Sequence, residues 1–172
     1  IATTKRHPAK IEASFGCDVK GNLQAMTMTA DFDTGAYASW GPTVAGRVPV
    51  HGGGPYSWPA AQISARAILT NGPSCGAFRG FGVPQVAIAH EALIDELAEE
   101  LRIDPLEFRY KNALRVGDLT STGQLLQASA GLDQCLDALR PHWRQALQLV
   151  QVHNKNNPTY RQGVGLGCMW YG

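Results

Sequence analysis

The apolar period of the chain changes at Pro84, and that change limits what the chain can fold into. Before it, residues 10–17 (KIEASFGC) and 23–33 (LQAMTMTADFD) alternate apolar and polar with period two, as half-buried strands do. The turn DVKGN lies between them with Gly21-Asn22 at its tip, so the pair reads as a β-hairpin ending at Asp33-Thr34-Gly35. Residues 61–70 (AQISARAILT) predict a further strand with Ile63, Ala65, Ala67 and Leu69 on one face. After Pro84, Val86, His90, Leu93, Leu97 and Leu101 recur at three or four residues, and Ala89 and Ile94 widen the stripe. Pro84 itself suits a first helical turn, where its missing N–H costs nothing.

Asp104 is placed to cap a shorter helix that starts at Pro105 and runs to about Leu114. Residues 131–154 predict a helix interrupted or bent near Pro141, and residues 162–170 return to strand character. Strands, a loop, helices, a polar linker over 115–130, a helix and a strand make an α+β fold with mixed strands and long helices. The linker is the best boundary within the chain.

Residues 35–60 have no clear period. A short helix from about Pro42 to Val50 fits there, and irregular segments of this length are often functional. Trp40, Tyr56 and Trp58 read as core or interface packing, and His51 as a loop histidine bonded to backbone.

A hydrophobic content of 44% and a formal net charge of +1 exclude a disordered chain and a nucleic-acid binder driven by bulk charge. Lys5, Arg6, His7 and Lys10, and later Arg140, His142 and Arg144, form short basic clusters without interleaved aromatics and read as solvated faces. No run of about 18 apolar residues is present to span a membrane. Cys17, Cys75, Cys135 and Cys168 have no zinc or iron–sulfur spacing and read as free thiols of a reducing, cytoplasmic compartment. The chain starts at Ile1 and ends on the apolar run GVGLGCMWYG, which leads us to expect a piece of a longer protein.

The stretch NGPSCGAFRGFGVPQ (71–85) divides in two ways. Gly72-Pro73-Ser74-Cys75-Gly76 fits the G-x-S-x-G nucleophile elbow of serine hydrolases, and His51-Gly52-Gly53-Gly54 looks like their oxyanion loop. An elbow needs its helix directly after the serine, and here glycines and Arg79 intervene before Pro84. The second division is Phe78-Arg79-Gly80-Phe81-Gly82, a guanidinium between aromatic rings and glycines, just before a helix N-terminus. Such a loop suits an anionic or oxygen-rich cofactor. The plainer alternative is an Arg that caps a strand or pairs with a surface carboxylate.

GAFRGFGVPQ resembles the AFRGFG-PQ segment of the xanthine oxidase / aldehyde oxidoreductase family of molybdenum hydroxylases. KRHPAKIEASFGCDVKGNLQAM resembles the family's RHP stretch and following strand pair, and DPLEFRYKNALRVGD its P-E-R-KN-GD stretch. The resemblance runs over essentially the whole chain and is nearest to bacterial aldehyde oxidoreductases. It implies an incomplete piece of the molybdenum-binding catalytic region. Residues 1–127 would close the first molybdopterin-binding domain and residues 128–172 would open the second.

The implied cofactor is molybdenum with molybdopterin, in its cytosine dinucleotide form. [2Fe-2S] clusters would lie in the parent protein and not in this chain. The implied reaction converts an aldehyde and water to a carboxylic acid. The alternatives are a fragment of a purine or heterocycle hydroxylase and a non-catalytic α+β binding module. By resemblance Phe78, Arg79 and Gly80 meet the cofactor, while Arg47, Phe81 and Gln85 lie toward substrate. Gln85 also reads as support for the loop. The family's catalytic glutamate has no counterpart here, so no catalytic residue is assigned, and because the resemblance implies a metal held by the cofactor's dithiolene, no metal ligand is expected; Glu12, Glu91 and Asp95 read as structural or surface groups. The implied partners are a small-molecule substrate and the rest of the parent, a homodimer, with neither nucleic acid nor membrane.

Overall fold

The hairpin forms where the alternation places it. In the computed structural model, which describes residues 3–171, β1 (Ala9–Cys17) pairs antiparallel with β2 (Leu23–Gly35), Ala9 facing Phe32 and Phe15 facing Met26. Asp18 closes the turn by accepting from the N–H groups of Lys20 and Asn22 and from the Asn22 side chain. Gly21 is required there. Its φ is 77°, and a Cβ would stand 2.7 Å from the Ile103 side chain. The ladder slips between Gly16 and Cys17, so the buried face of β2 is Met26, Met28, Ala30 and Phe32, and Ala25 points out.

β3 (Ala60–Leu69) joins the other edge of β2 in parallel, giving the order β1-β2-β3. A parallel neighbour needs a crossover. Two short helices supply it, α1 (Gly41–Ala45) and α2 (Arg47–His51), where the sequence predicts one. They pack on β2 and β3, and α3 (Val83–Glu100) packs on β1. The opposite face of the sheet is polar; Arg66 grips Asp31 there with two bonds of 2.7 Å, and Lys10 meets Glu12 at 2.8 Å.

On α3 the fully buried line is Val83, Val86, His90, Ile94 and Ala98, with Leu93, Leu97 and Leu101 half-buried beside it. The buried face is therefore turned from the expected stripe, because the helix meets the sheet on one side and α4 (Pro105–Asn112) on another. Asp104 caps α4 as its position predicts, accepting from Leu106 and Glu107, and its other oxygen takes the Trp143 indole N–H at 2.9 Å. Trp143 belongs to α5 (Leu132–Asn156), which runs through Pro141 without interruption. The proline ring is exposed there, and the helix is tied to α4 on both sides of it by Arg140–Glu107 and Trp143–Asp104.

Residues 162–170 form no strand among the described residues. Their alternation survives in another form. Val164, Leu166, Cys168 and Trp170 turn inward, the Cys168 N–H donates to Glu91, and the Trp170 indole donates to the Gly54 carbonyl. The four cysteines are free thiols. Among the described residues no helix is long and apolar enough to cross a membrane.

Arg109 is fully buried on α4 and bonds Glu91 at 2.8 Å and Asp95 at 2.7 Å, both on α3. Glu91 also accepts from the Tyr56 hydroxyl at 2.6 Å and from Cys168 at 2.9 Å. Burial opposes the Arg109 charge, but the Glu91 and Asp95 carboxylates outweigh it and hold its pKa above the ordinary arginine value. Burial and the Glu91 charge raise the Tyr56 hydroxyl, so it remains a donor. Removing one member strands the other inside the protein. Arg109→Met is expected to cost about 3–5 kcal/mol of unfolding free energy in a urea titration. A loss under about 1 kcal/mol would show that the pair does not hold the helices together.

Candidate functional site

Ser74 lies in an exposed loop, and α3 does not begin until Val83. No helix N-terminus directly follows the serine, so the elbow geometry is absent. The HGGG segment is buried instead: Trp58 donates to the Gly53 carbonyl and Trp170 to that of Gly54. The N–H groups an oxyanion loop would offer are engaged as well, Gly52 to the Val48 carbonyl and Gly54 to that of His51.

The other division of the same stretch has a built conformation. Phe81 N–H donates to the Phe78 carbonyl at 2.8 Å and Val83 N–H to that of Gly80 at 2.9 Å. Gly80, Phe81 and Gly82 take φ values of 90°, 49° and 95°, three left-handed residues in succession. At Phe81 such a conformation costs of order 1–3 kcal/mol. Gly82 admits nothing larger, because a Cβ would meet the Val44 carbonyl oxygen at 2.6 Å. The Phe81 ring stands edge-on to Trp40 at 5.9 Å.

This turn leaves donors unspent. The N–H groups of Gly80 and Gly82 form no hydrogen bond, and the exposed Arg79 guanidinium no ion pair, among the described residues. They precede the first turn of an 18-residue helix, whose positive end adds to them. Beside the loop Arg6, His7, Val44, Phe78, Phe81 and Gln85 line a seam too tight to admit a water molecule. His7 is buried there with its Nε2 unpartnered among the described residues, and burial lowers its pKa while Asp33 partly offsets this. A guanidinium, backbone donors and aromatic edges fit an anionic, oxygen-rich group.

Of the residues singled out from sequence, Phe78, Arg79, Gly80, Phe81 and Gln85 meet at this loop–helix junction. The Gln85 amide is engaged at both ends, accepting from Arg6 at 3.4 Å and donating to the His7 carbonyl at 3.1 Å, which makes it a support of the loop. Arg47 sits half-buried on α2 with its guanidinium 5.7 Å from the Tyr171 ring centre. Tyr56 and Trp58 are core residues, and Trp40 is exposed beside Phe81. Glu91 and Asp95 are committed to Arg109, and Glu12 lies on the exposed sheet face.

Two residues differ from expectation. Arg6 is not simply solvated; it donates to the Arg79 carbonyl at 2.7 Å across 73 residues of sequence. Its neighbourhood in the RHP stretch is the only local signal for that role. His51 is not bonded to backbone. Its ring is buried between Trp170, edge-on at 4.9 Å, and Tyr171, stacked at 5.6 Å, with neither nitrogen hydrogen-bonded among the described residues.

Burial holds His51 and His90 below the usual histidine pKa; Arg47 and His90 add to the effect at His51, and Glu91 opposes it at His90. The unfolded chain therefore takes up protons near pH 6.5 that the folded chain refuses. Stability is full above that pH and falls as pH drops through it. The unfolding free energy from urea titrations is expected to decrease from pH 7 to pH 5, with a slope approaching about 1.4 kcal/mol per pH unit for each histidine kept neutral. His90→Gln should reduce the slope by the share of one histidine, and a wild-type profile already flat over that range would contradict the neutral assignment.

Residues 1–113 match the family of molybdopterin cofactor-binding domains. Over 138 residues the chain is 44% identical to the nicotinate dehydrogenase large molybdopterin subunit of Eubacterium barkeri, covering 80% of this chain and 32% of that protein. It is 38% identical to the aldehyde oxidoreductase of Megalodesulfovibrio gigas, covering 99% of this chain and 18% of that one. The solved aldehyde oxidoreductase from Desulfovibrio gigas superposes with a TM-score of 0.83 at 38% identity, over 86% of this chain and 16% of its own. The chain thus spans a third or less of the length of these relatives.

Proposed function

The chain belongs to the molybdopterin cofactor-binding domain family, and from that premise we propose that it is a segment of a molybdenum-dependent oxidoreductase that converts an aldehyde and water to a carboxylic acid. The observation that carries this is the left-handed turn at Gly80–Gly82, which leaves backbone donors and Arg79 unspent at the start of α3. When bound, the molybdenum–pterin group, in its cytosine dinucleotide form, supplies the two-electron redox chemistry that no side chain here provides.

The chain's own residues bind and orient. Arg79 pairs with cofactor oxygens, and the Gly80 backbone lets the group approach. Phe78 borders the group, and Phe81 lines the approach of substrate and excludes water. Arg47 orients a polar group of the substrate, and Gln85 acts through the loop it braces. The carboxylate base and the [2Fe-2S] clusters belong to the remainder of a homodimeric cytoplasmic parent. Within this chain, residues 1–127 close one molybdopterin-binding domain and residues 128–172 open the next. The similarity to nicotinate dehydrogenase supports a second reading, in which the substrate is a heterocycle and Arg47 meets its polar edge.

In the parent enzyme, Arg79→Ala should lower bound molybdenum or turnover by about ten- to a hundredfold, as expected for one lost charge-assisted hydrogen bond. Arg79→Lys should recover only part, since an ammonium lacks the planar fork. Unchanged metal together with unchanged turnover would remove the role assigned to Arg79. Comparing kcat/KM for an aromatic aldehyde and for nicotinate separates the two substrate classes.

A further inference from the structure

We propose that Arg6 is a positioning residue that holds the Phe78–Gly82 turn in its left-handed form. One Arg6 nitrogen donates to the Arg79 carbonyl at 2.7 Å, and another reaches Gln85 Oε1 at 3.4 Å. The same guanidinium lies over the Phe78 ring, 4.5 Å from its centre. One side chain thus grips the turn through its backbone, its first ring and the helix that follows.

Arg6 can act as a clamp because its own backbone is held. Gly76 N–H donates to the carbonyl of Lys5 at 3.1 Å, and Gln85 donates to the carbonyl of His7 at 3.1 Å. The residues flanking Arg6 are therefore tied to the two ends of the segment it grips. The grip has a strain to oppose, since Phe81 is a non-glycine residue at φ 49°. Holding the turn by the Arg79 carbonyl also leaves the Arg79 guanidinium unspent. A planar guanidinium can donate along two directions while stacking on an aromatic face; an ammonium cannot do both.

The clamp stands on the described contacts, and only its consequence for cofactor rests on the reading of the site given above. The test is amide hydrogen exchange and pterin content, measured on the parent enzyme in wild type, Arg6→Ala, Arg6→Lys and Phe78→Leu. Arg6→Ala should speed exchange at the two hydrogen-bonded amides of the turn, Phe81 and Val83, by about tenfold, the effect of losing one hydrogen bond of about 1.4 kcal/mol, with α5 unchanged. Arg6→Lys should restore that protection only in part, and Phe78→Leu should speed the same amides to a smaller extent. Unchanged exchange at the Phe81 and Val83 amides in Arg6→Ala, or full protection in Arg6→Lys, would overturn the clamp. If Arg6→Ala loosens the whole protein, Phe78→Leu decides: local acceleration supports the clamp and none overturns it. Faster loop exchange with undiminished pterin would leave the clamp standing and remove the cofactor-site reading.

Discussion

The buried pair of Arg109 and Glu91 is the interaction on which the rest of the structure depends. It joins α4 to α3, and through the second bonds of Glu91 it also fixes Tyr56 and the backbone at Cys168. Four separate stretches of chain meet at one carboxylate. An unpaired charge at that depth would cost several kcal/mol, so the four stretches are held to one arrangement. The consequence for function is mechanical. α3 carries the Phe78–Gly82 turn at its N-terminus, so fixing α3 fixes where the turn faces. At that end Gly82 abuts the Val44 carbonyl of α1, and Gln85 binds the His7 carbonyl just before β1.

A second polar centre fixes the hairpin. Asn112 donates to the carbonyls of Gly21 and Phe108 and accepts from the Leu23 N–H. It joins the end of α4 to the start of β2, and the Asn112 backbone carbonyl accepts from the Ser57 N–H. Arg109 and Asn112 are three residues apart on α4, in the stretch whose sequence resembles the P-E-R-KN segment of the family. Their part in the resemblance is explained by packing, since neither approaches the Phe78–Gly82 turn through a hydrogen bond.

Much of this was legible in the sequence because period two and period 3.6 are read residue by residue. The hairpin, β3, α3 and the Asp104 cap follow from local pattern. What local pattern cannot carry is partnership. Alternation at 60–69 is the same for a parallel and an antiparallel strand, and at 164–170 it reflects docking against Glu91 and Gly54 rather than a ladder. Pro141 stays within α5 because its ring faces solvent and α4 holds the helix on both sides. The site divides in the same way. Glycines around a lone arginine mark the turn, whereas Arg6 gains its place only when a contact across 73 residues forms.

The central claim is that the donors left unspent by this turn face the cofactor. A crystal structure of the molybdenum-loaded parent enzyme, with anomalous data at the molybdenum edge, tests it most directly. The account predicts cofactor oxygens within hydrogen-bond distance, about 3 Å, of Arg79 or of the Gly80 and Gly82 amides. Cofactor density that makes no contact with residues 78–82, or that lies on the polar sheet face beside Asp31 and Arg66, would contradict it.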